Sequence, residues 1–158
     1  MGQVGQVGQV VVSLRHRDRD AYDELCCYTL AHGDPSFIHQ HVVDAWAVQQ
    51  ADEATKPIAI TFGLVGLYLH VEQHWSGRRV QRAHMDLARE KHAWPAVVLP
   101  RDRGAITART VMAAPAGPER DTAIDAWCAS VWNAFADNRE RIVDLLDRHR
   151  IVARGAAR

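Results

Sequence analysis

The chain contains nine histidines, and four of them predict a metal site built from three helices. His70 and His74 lie four residues apart at the end of one predicted helix, so their imidazoles can project side by side. This is the spacing by which a helix presents two nitrogen ligands to one metal ion. His39 and His84, on the neighbouring predicted helices, are the further ligands that we expect. The pattern therefore predicts a divalent metal, with zinc favoured.

Two carboxylates near these histidines are candidates for proton transfer. Asp44 lies between Val43 and Ala45, where an unpaired charge would be costly, so we expect it to meet a cation, a histidine or a helix end. Glu72 is two residues from His70 and on a different face, so the string is not the His-Glu-x-x-His motif of zinc proteases. A bound ion would lower the pKa of water to about 7, and Glu72 or Asp44 would accept the proton. This indicates hydrolase-type chemistry on a small-molecule substrate that the sequence does not identify.

Each of these residues also has a purely structural interpretation. A histidine at a helix end, as at His74, gains from the helix dipole without binding a ligand. His84 can be a hydrogen-bonded core residue, and a carboxylate that orients an imidazole is common in folded cores. The alternative function is therefore a non-enzymatic helical module that binds a partner or forms a homodimer.

Composition and charge argue against several classes of protein. The 158 residues include 19 basic and 19 acidic ones, so no overall field favours nucleic acid or an anionic membrane. Acid recognition would have to be local, by the arginines of the predicted fourth helix. Three cysteines are too few for a secreted disulfide framework, which predicts a cytoplasmic protein. The longest apolar stretch, residues 57–69, is too short to cross a bilayer. Phosphate-binding glycine loops and the Gly-x-Ser-x-Gly motif are absent from the sequence.

Helical periodicity predicts an all-α fold, a single-domain bundle of about six helices with one long irregular loop. Start and stop residues delimit the first four helices near 20–33, 34–50, 57–71 and 77–91. The third is apolar on nearly every side, which is typical of a central helix. Residues 92–106 contain two prolines and a glycine but no helical period, and predict the loop. Helical segments follow at about 107–114, from Pro118, and after Asp137.

The domain boundaries follow from the same pattern. Residues 1–18 contain three consecutive Gly-Gln-Val units and predict a flexible N-terminal tail. Residues 19–152 form the helical domain, and residues 153–158 are expected to be a frayed C-terminal tail.

The second and third predicted helices carry a resemblance to a known family. The stretch from Phe37 to Gln49 reads Phe-Ile-His-Gln-His-Val-Val-Asp-Ala-Trp-Ala-Val-Gln, and Lys56-Pro57 and Leu64-Val65-Gly66-Leu67-Tyr68-Leu69 follow. After Asp20 the chain resembles a bacterial family catalogued as domain of unknown function 5946. The family pattern of histidine, aspartate, alanine, an aromatic residue and glutamine matches His39, Asp44, Ala45, Trp46 and Gln49.

This resemblance implies no activity, and it transfers no catalytic residue. It favours His39 over His41 as the histidine of interest, and it supports treating the second and third helices as one unit. Some members begin with a paired-cysteine segment that this sequence lacks, so a metal site that depends on that segment would not carry over.

Overall fold

The computed structural model describes residues 3–90 and 93–156, with side chains for 16–90 and 93–153. The part of the chain that it describes is helical and contains no β-strand, which confirms the all-α prediction. A 3-10 turn at Ala136–Asn138 joins α6 to α7. The helices are α1 (Gln3–Ala31), α2 (His39–Gln49), α3 (Pro57–Val71), α4 (Gly77–Ala88), α5 (Ala108–Ala113), α6 (Pro118–Ala134), α7 (Arg139–Arg148) and α8 (Ile151–Ala156).

Both chain ends are more helical than predicted. Helix α1 begins at Gln3, so the predicted flexible tail, residues 1–18, is helical from that residue onward. The Gly-Gln-Val units contain no proline, and their glycines weaken a helix without ending it. Helix α8 likewise covers part of the predicted C-terminal tail, residues 153–158. Residues 1, 2, 157 and 158 lie outside the described residues.

Helix α3 lies at the centre of the bundle, as its composition predicts. Leu64, Val65 and Leu69 have no exposed surface, and α3 packs against α2, α4, α6 and α7. Its glycines allow α2 to approach closely: a side chain at Gly66 would overlap the carboxyl group of Asp44. None of the described helices combines the length and the apolar character that a membrane span requires.

Helix α2 begins five residues later than predicted, because Asp34 holds a turn instead of capping the helix. Its carboxylate accepts the backbone N–H of Ser36 at 2.8 Å and that of Ile38 at 3.1 Å. Phe37 then has a positive φ of 59°, which a helix cannot continue. The first helical residue is therefore His39.

The long irregular loop is present, and side chains from the helices hold its backbone. Asn138 accepts the N–H of Val98 at 2.7 Å and donates to the Val98 carbonyl at 2.9 Å. Gln49 donates to the carbonyl of Ile106 at 2.8 Å and accepts from Trp127 Nε1 at 2.9 Å. These bonds replace the internal pairing that an irregular segment lacks.

The start of α7 differs from the prediction. Asp137 and Glu140 resemble a capping box in the sequence, but the helix starts after Asn138, and no side chain caps it. The side chain of Asn138 is already bonded to Val98 in the loop. Thr107, by contrast, forms the predicted cap of α5 together with Thr110.

Candidate functional site

A depression of about 330 Å³ lies where the end of α3 meets α2, α4 and α6. We call it the His70 depression, because the imidazole of His70 contacts three of the other lining residues, His41, Trp75 and Asp125. Its lining residues are polar, aromatic and aliphatic: Ser36, Ile38, His41, His70, His74, Trp75, Ser76 and Asp125.

The turn after α3 determines where His70 and His74 point. Helix α3 ends at Val71, and His74 takes a left-handed conformation with φ 55°. The backbone then folds back, so that the N–H of Trp75 donates to the carbonyl of Leu69 at 2.9 Å. The two histidines line one depression because of this turn, and not because they share a helical face as the spacing predicts.

Both ring nitrogens of His70 contact acceptors. Nδ1 lies 3.3 Å from the carbonyl oxygen of Trp75, and Nε2 lies 2.9 Å from Oδ1 of Asp125 on α6. A carbonyl and an ionised carboxylate accept hydrogen bonds but do not donate them. Both contacts are therefore hydrogen bonds when both ring nitrogens carry hydrogen, as in the imidazolium form.

The ring of His41 lies flat against the ring of His70. Their centroids are 3.5 Å apart and the planes are inclined by 20°. His41 is only 4% exposed, and burial together with the nearby His70 lowers its pKa to about 3. His41 is thus a neutral ring beside His70, and its buried Nδ1 has no hydrogen-bond partner within the described structure.

The other two predicted metal ligands lie apart from the depression. Nδ1 of His39 is 2.8 Å from the hydroxyl of Thr29 on α1, and burial lowers the pKa of His39. His84 contacts Phe62 edge to face, and burial lowers its pKa to about 4. Neither residue lines the His70 depression.

The two predicted proton acceptors are also elsewhere. Glu72 is ion-paired with Arg139 at 2.6 Å and accepts from Trp132 Nε1 at 2.9 Å, so it ties α3 to α6 and α7. These hydrogen bonds hold the pKa of Glu72 below its usual value, and the bond from Arg139 has the larger effect. Neither Glu72 nor Asp44 lines the His70 depression.

Asp44 lies in the interior between α2 and α3. It is 3% exposed, and this burial raises the pKa of its carboxyl well above the usual value. Oδ1 accepts from Nε2 of Gln40 at 3.1 Å, whereas Oδ2 has no partner within the described structure. The same Nε2 lies 3.5 Å from Nδ1 of His84. Asp44, Gln40 and His84 therefore form a buried polar group distinct from the His70 depression.

The sequence of the chain matches one protein-family model. The model of DUF5946, a family of unknown function, matches residues 13–136. The chain belongs to this family. No curated protein and no solved structure matches the chain significantly.

The match places this DUF5946 member in a family without an assigned activity, so the site must be argued from its residues. The matched segment, residues 13–136, includes every residue of the His70 depression and of the buried Asp44 group. Among the described residues, no group of three or more His, Cys, Asp or Glu side chains is arranged to hold a metal ion. The four predicted histidine ligands thus do not converge.

Sequence reasoning missed Asp125 in the His70 depression and ranked His41 below His39. The family resemblance favours His39 over His41, whereas the structure stacks the ring of His41 on that of His70. Asp125 lies 55 residues beyond His70 in the sequence and next to the buried Ile124. No local spacing connects Asp125 to His70, and only the packing of α6 against α2 and α3 brings them together.

Proposed function

We propose that this chain is a small helical binding protein whose ligand is a small polar molecule held in the His70 depression. The observation that supports this is that both ring nitrogens of His70 contact protein oxygens, of the Trp75 carbonyl and of Asp125, within an open depression. Charged and hydrogen-bonding side chains gathered in a concave site are the usual features of ligand recognition.

The volume of the depression is consistent with a small ligand. Ligand pockets commonly range from about 300 to 1,000 Å³, and this one, at about 330 Å³, is at the lower end. Trp75 forms a rigid part of the lining, since it is buried and its backbone N–H is bonded to the carbonyl of Leu69. A rigid lining lowers the conformational entropy that the protein loses when a ligand binds.

Catalysis is less well supported by the same geometry. A general base needs a lone pair within reach of the substrate proton. Both nitrogens of His70 already contact acceptors, and His41 is buried. For His70 to act as a general base, Asp125 would have to move away from its Nε2.

A divalent metal is the second candidate ligand. Nε2 of His70 and Oδ1 of Asp125 face each other at 2.9 Å and would give an ion two donors, but no third His, Cys, Asp or Glu side chain among the described residues is arranged to complete the site. Imidazole and carboxylate are both zinc ligands, and an ion there would have to replace the proton that they share. Metal analysis of untagged protein after reconstitution decides this point. About one equivalent supports it, and less than about a tenth of an equivalent excludes it.

The binding proposal is tested by nuclear magnetic resonance of the histidine rings. Sodium phosphate, sodium acetate, glycerol and zinc chloride are added separately to the wild-type chain, to His70→Gln and to His16→Gln, an exposed control. We expect at least one probe to shift the ring signals of His41 and His70 saturably in the wild type and in His16→Gln, and the remaining signals of the depression to stay unshifted in His70→Gln.

The outcome that contradicts the proposal is that no probe shifts these rings, or that any shift is equally large at exposed His16. The alternative function, a non-enzymatic interaction module, is then favoured. If His70→Gln does not fold, the location of the shifts in the wild type still decides the question.

A further inference from the structure

We propose that the His70 depression recognises the oxyanion of a small acidic ligand, and that Asp125 occupies the place of that oxyanion in the free protein. The carboxylate or phosphate oxygen of the ligand would accept from Nε2 of His70, where Asp125 accepts now. This inference rests on the proposed binding function and specifies the chemical class of the ligand.

The two partners of His70 differ in how easily they can be replaced. The Trp75 carbonyl belongs to a buried residue whose backbone N–H is bonded to the Leu69 carbonyl, so its position is fixed. Asp125 is the end of a short side chain that is 62% exposed. Polar contacts to such an exposed side chain contribute little to stability, so an incoming oxyanion can take over the contact at small cost. His70 keeps a partner at both ring nitrogens throughout.

The surroundings of His70 favour negative charge. Ser76 lines the depression and is the N-cap of α4, where the helix dipole is positive. Its hydroxyl accepts from the N–H of Arg79, so its own hydrogen is available to a ligand. The guanidinium group of Arg79 lies 3.8 Å from the ring centre of Trp75, which lines the depression.

A buried group at the same place points to a ligand independently of the helix end. His41 lines the depression, is almost fully buried, and its Nδ1 has no partner within the described structure. A buried nitrogen without a partner is unfavourable, so the wall of the depression contains an unsatisfied hydrogen-bonding atom.

Of the two acidic groups nearby, Asp34 opposes an oxyanion less than Asp125 does. Both carboxylate oxygens of Asp34 are already bonded by Ser36, and one of them also by the N–H of Ile38. Asp125 is the one acidic residue that lines the depression. Its carboxylate would repel the ligand, and this predicts that its removal strengthens binding.

The test compares Asp125→Ala with Asp144→Ala, which removes an equal charge from an exposed position on α7. Inorganic phosphate and acetate are titrated into both variants, into the wild type and into His70→Gln, with calorimetry and the ring signals of His41 as readouts. We expect Asp125→Ala to bind one of them about fivefold or more tightly than Asp144→Ala does. His70→Gln should lose the binding, and the preferred anion identifies the ligand as a carboxylate or a phosphate.

Three other outcomes overturn the inference, and they separate it from the proposed function. If Asp125→Ala and Asp144→Ala bind both anions equally, Asp125 does not occupy an oxyanion position. If Asp125→Ala loses binding of zinc or glycerol that the wild type shows, the depression binds another class of ligand, and only the inference fails. If no probe binds to the wild type or to either aspartate variant, both the inference and the binding proposal are wrong.

Discussion

The imidazole rings of His41 and His70 lie face to face, with their centroids 3.5 Å apart. One ring is buried and neutral, whereas the other contacts an exposed carboxylate. The pair therefore links the interior of the bundle, through α2, to the depression at its surface.

The first prediction concerns the stability of the chain in acid. Burial lowers the folded-state pKa of His41 to about 3, below its unfolded value of about 6.5. Between these values the unfolded chain binds more protons, so this contribution is complete above about pH 6.5 and is lost as the pH falls. His41→Phe keeps a flat ring but does not titrate. Between about pH 7 and 4 its free energy of unfolding should therefore fall by roughly a few kcal/mol less than that of the wild type.

Urea unfolding across this pH range measures the effect, with His16→Gln as an exposed control. His84, whose pKa is lowered to about 4, retains its own acid dependence in every variant. Equal pH slopes for the wild type and His41→Phe would show that His41 does not carry this dependence.

The second prediction concerns Asp44, whose pH dependence has the opposite sign. Burial raises its folded-state pKa well above the unfolded value of about 3.9. As the pH rises above about 4, the unfolded chain releases this proton first, so the folded chain loses relative stability. Asp44→Asn keeps the bond from Gln40 and does not titrate. As the pH rises from about 4 to 7, the free energy of unfolding of Asp44→Asn should increase relative to that of the wild type, as measured by urea unfolding. A constant difference contradicts the assignment.

The third prediction concerns the close approach of α2 and α3. A methyl group at Gly66 would overlap the carboxyl of Asp44, so Gly66→Ala should destabilise the chain by about 1–3 kcal/mol. Asp44→Ala removes the obstacle, and in that background Gly66→Ala should cost much less. A double-mutant cycle from thermal or urea unfolding measures this coupling. Additive effects would mean that the two residues do not compete for the same space.

The fourth prediction is that Glu72 stabilises the fold and does not take part in binding at the His70 depression. Its carboxylate bonds Arg139 and Trp132, and these bonds hold its pKa below the usual value. The stabilisation is present above about pH 4.3 and is lost as the pH falls. Glu72→Gln should lower stability by about 1 kcal/mol or less, since the pair is partly exposed.

Binding of any probe that the His70 depression takes should be the same in Glu72→Gln as in the wild type. The measurement combines urea unfolding with the ring signals of His70. A large change in those signals or in probe affinity would place Glu72 in the site, as the sequence alone predicted.

The fifth prediction concerns the loop of residues 93–107. Asn138→Ala removes both bonds to the Val98 backbone and should cost about 1–3 kcal/mol. Hydrogen exchange at the Val98 amide should accelerate more than exchange in the middle of α3. Protection of Val98 that equals the wild type would show that the loop is held by its other contacts.

Much of the fold could be predicted because helix formation depends on neighbouring residues. The apolar run after Pro57 predicts a buried helix, and the structure has α3 at Pro57–Val71. The turn at Asp34 was misread as a helix start because an aspartate followed by proline fits either arrangement. The contacts of Ser36 and Ile38 with Asp34 decide between them.

The sequence by itself determined the class of fold and the central helix, since these follow from periodicity. Its resemblance to one family was confirmed by the match over residues 13–136. The sequence also marked His70 and His74 as the residues of interest. Only the tertiary structure decided what surrounds them. It placed Asp125 against His70, stacked His41 on the other side, and put His39, His84, Asp44 and Glu72 elsewhere. The physical reason is that a site is made of contacts between helices, and the angle at which two helices pack is set by all the side chains between them.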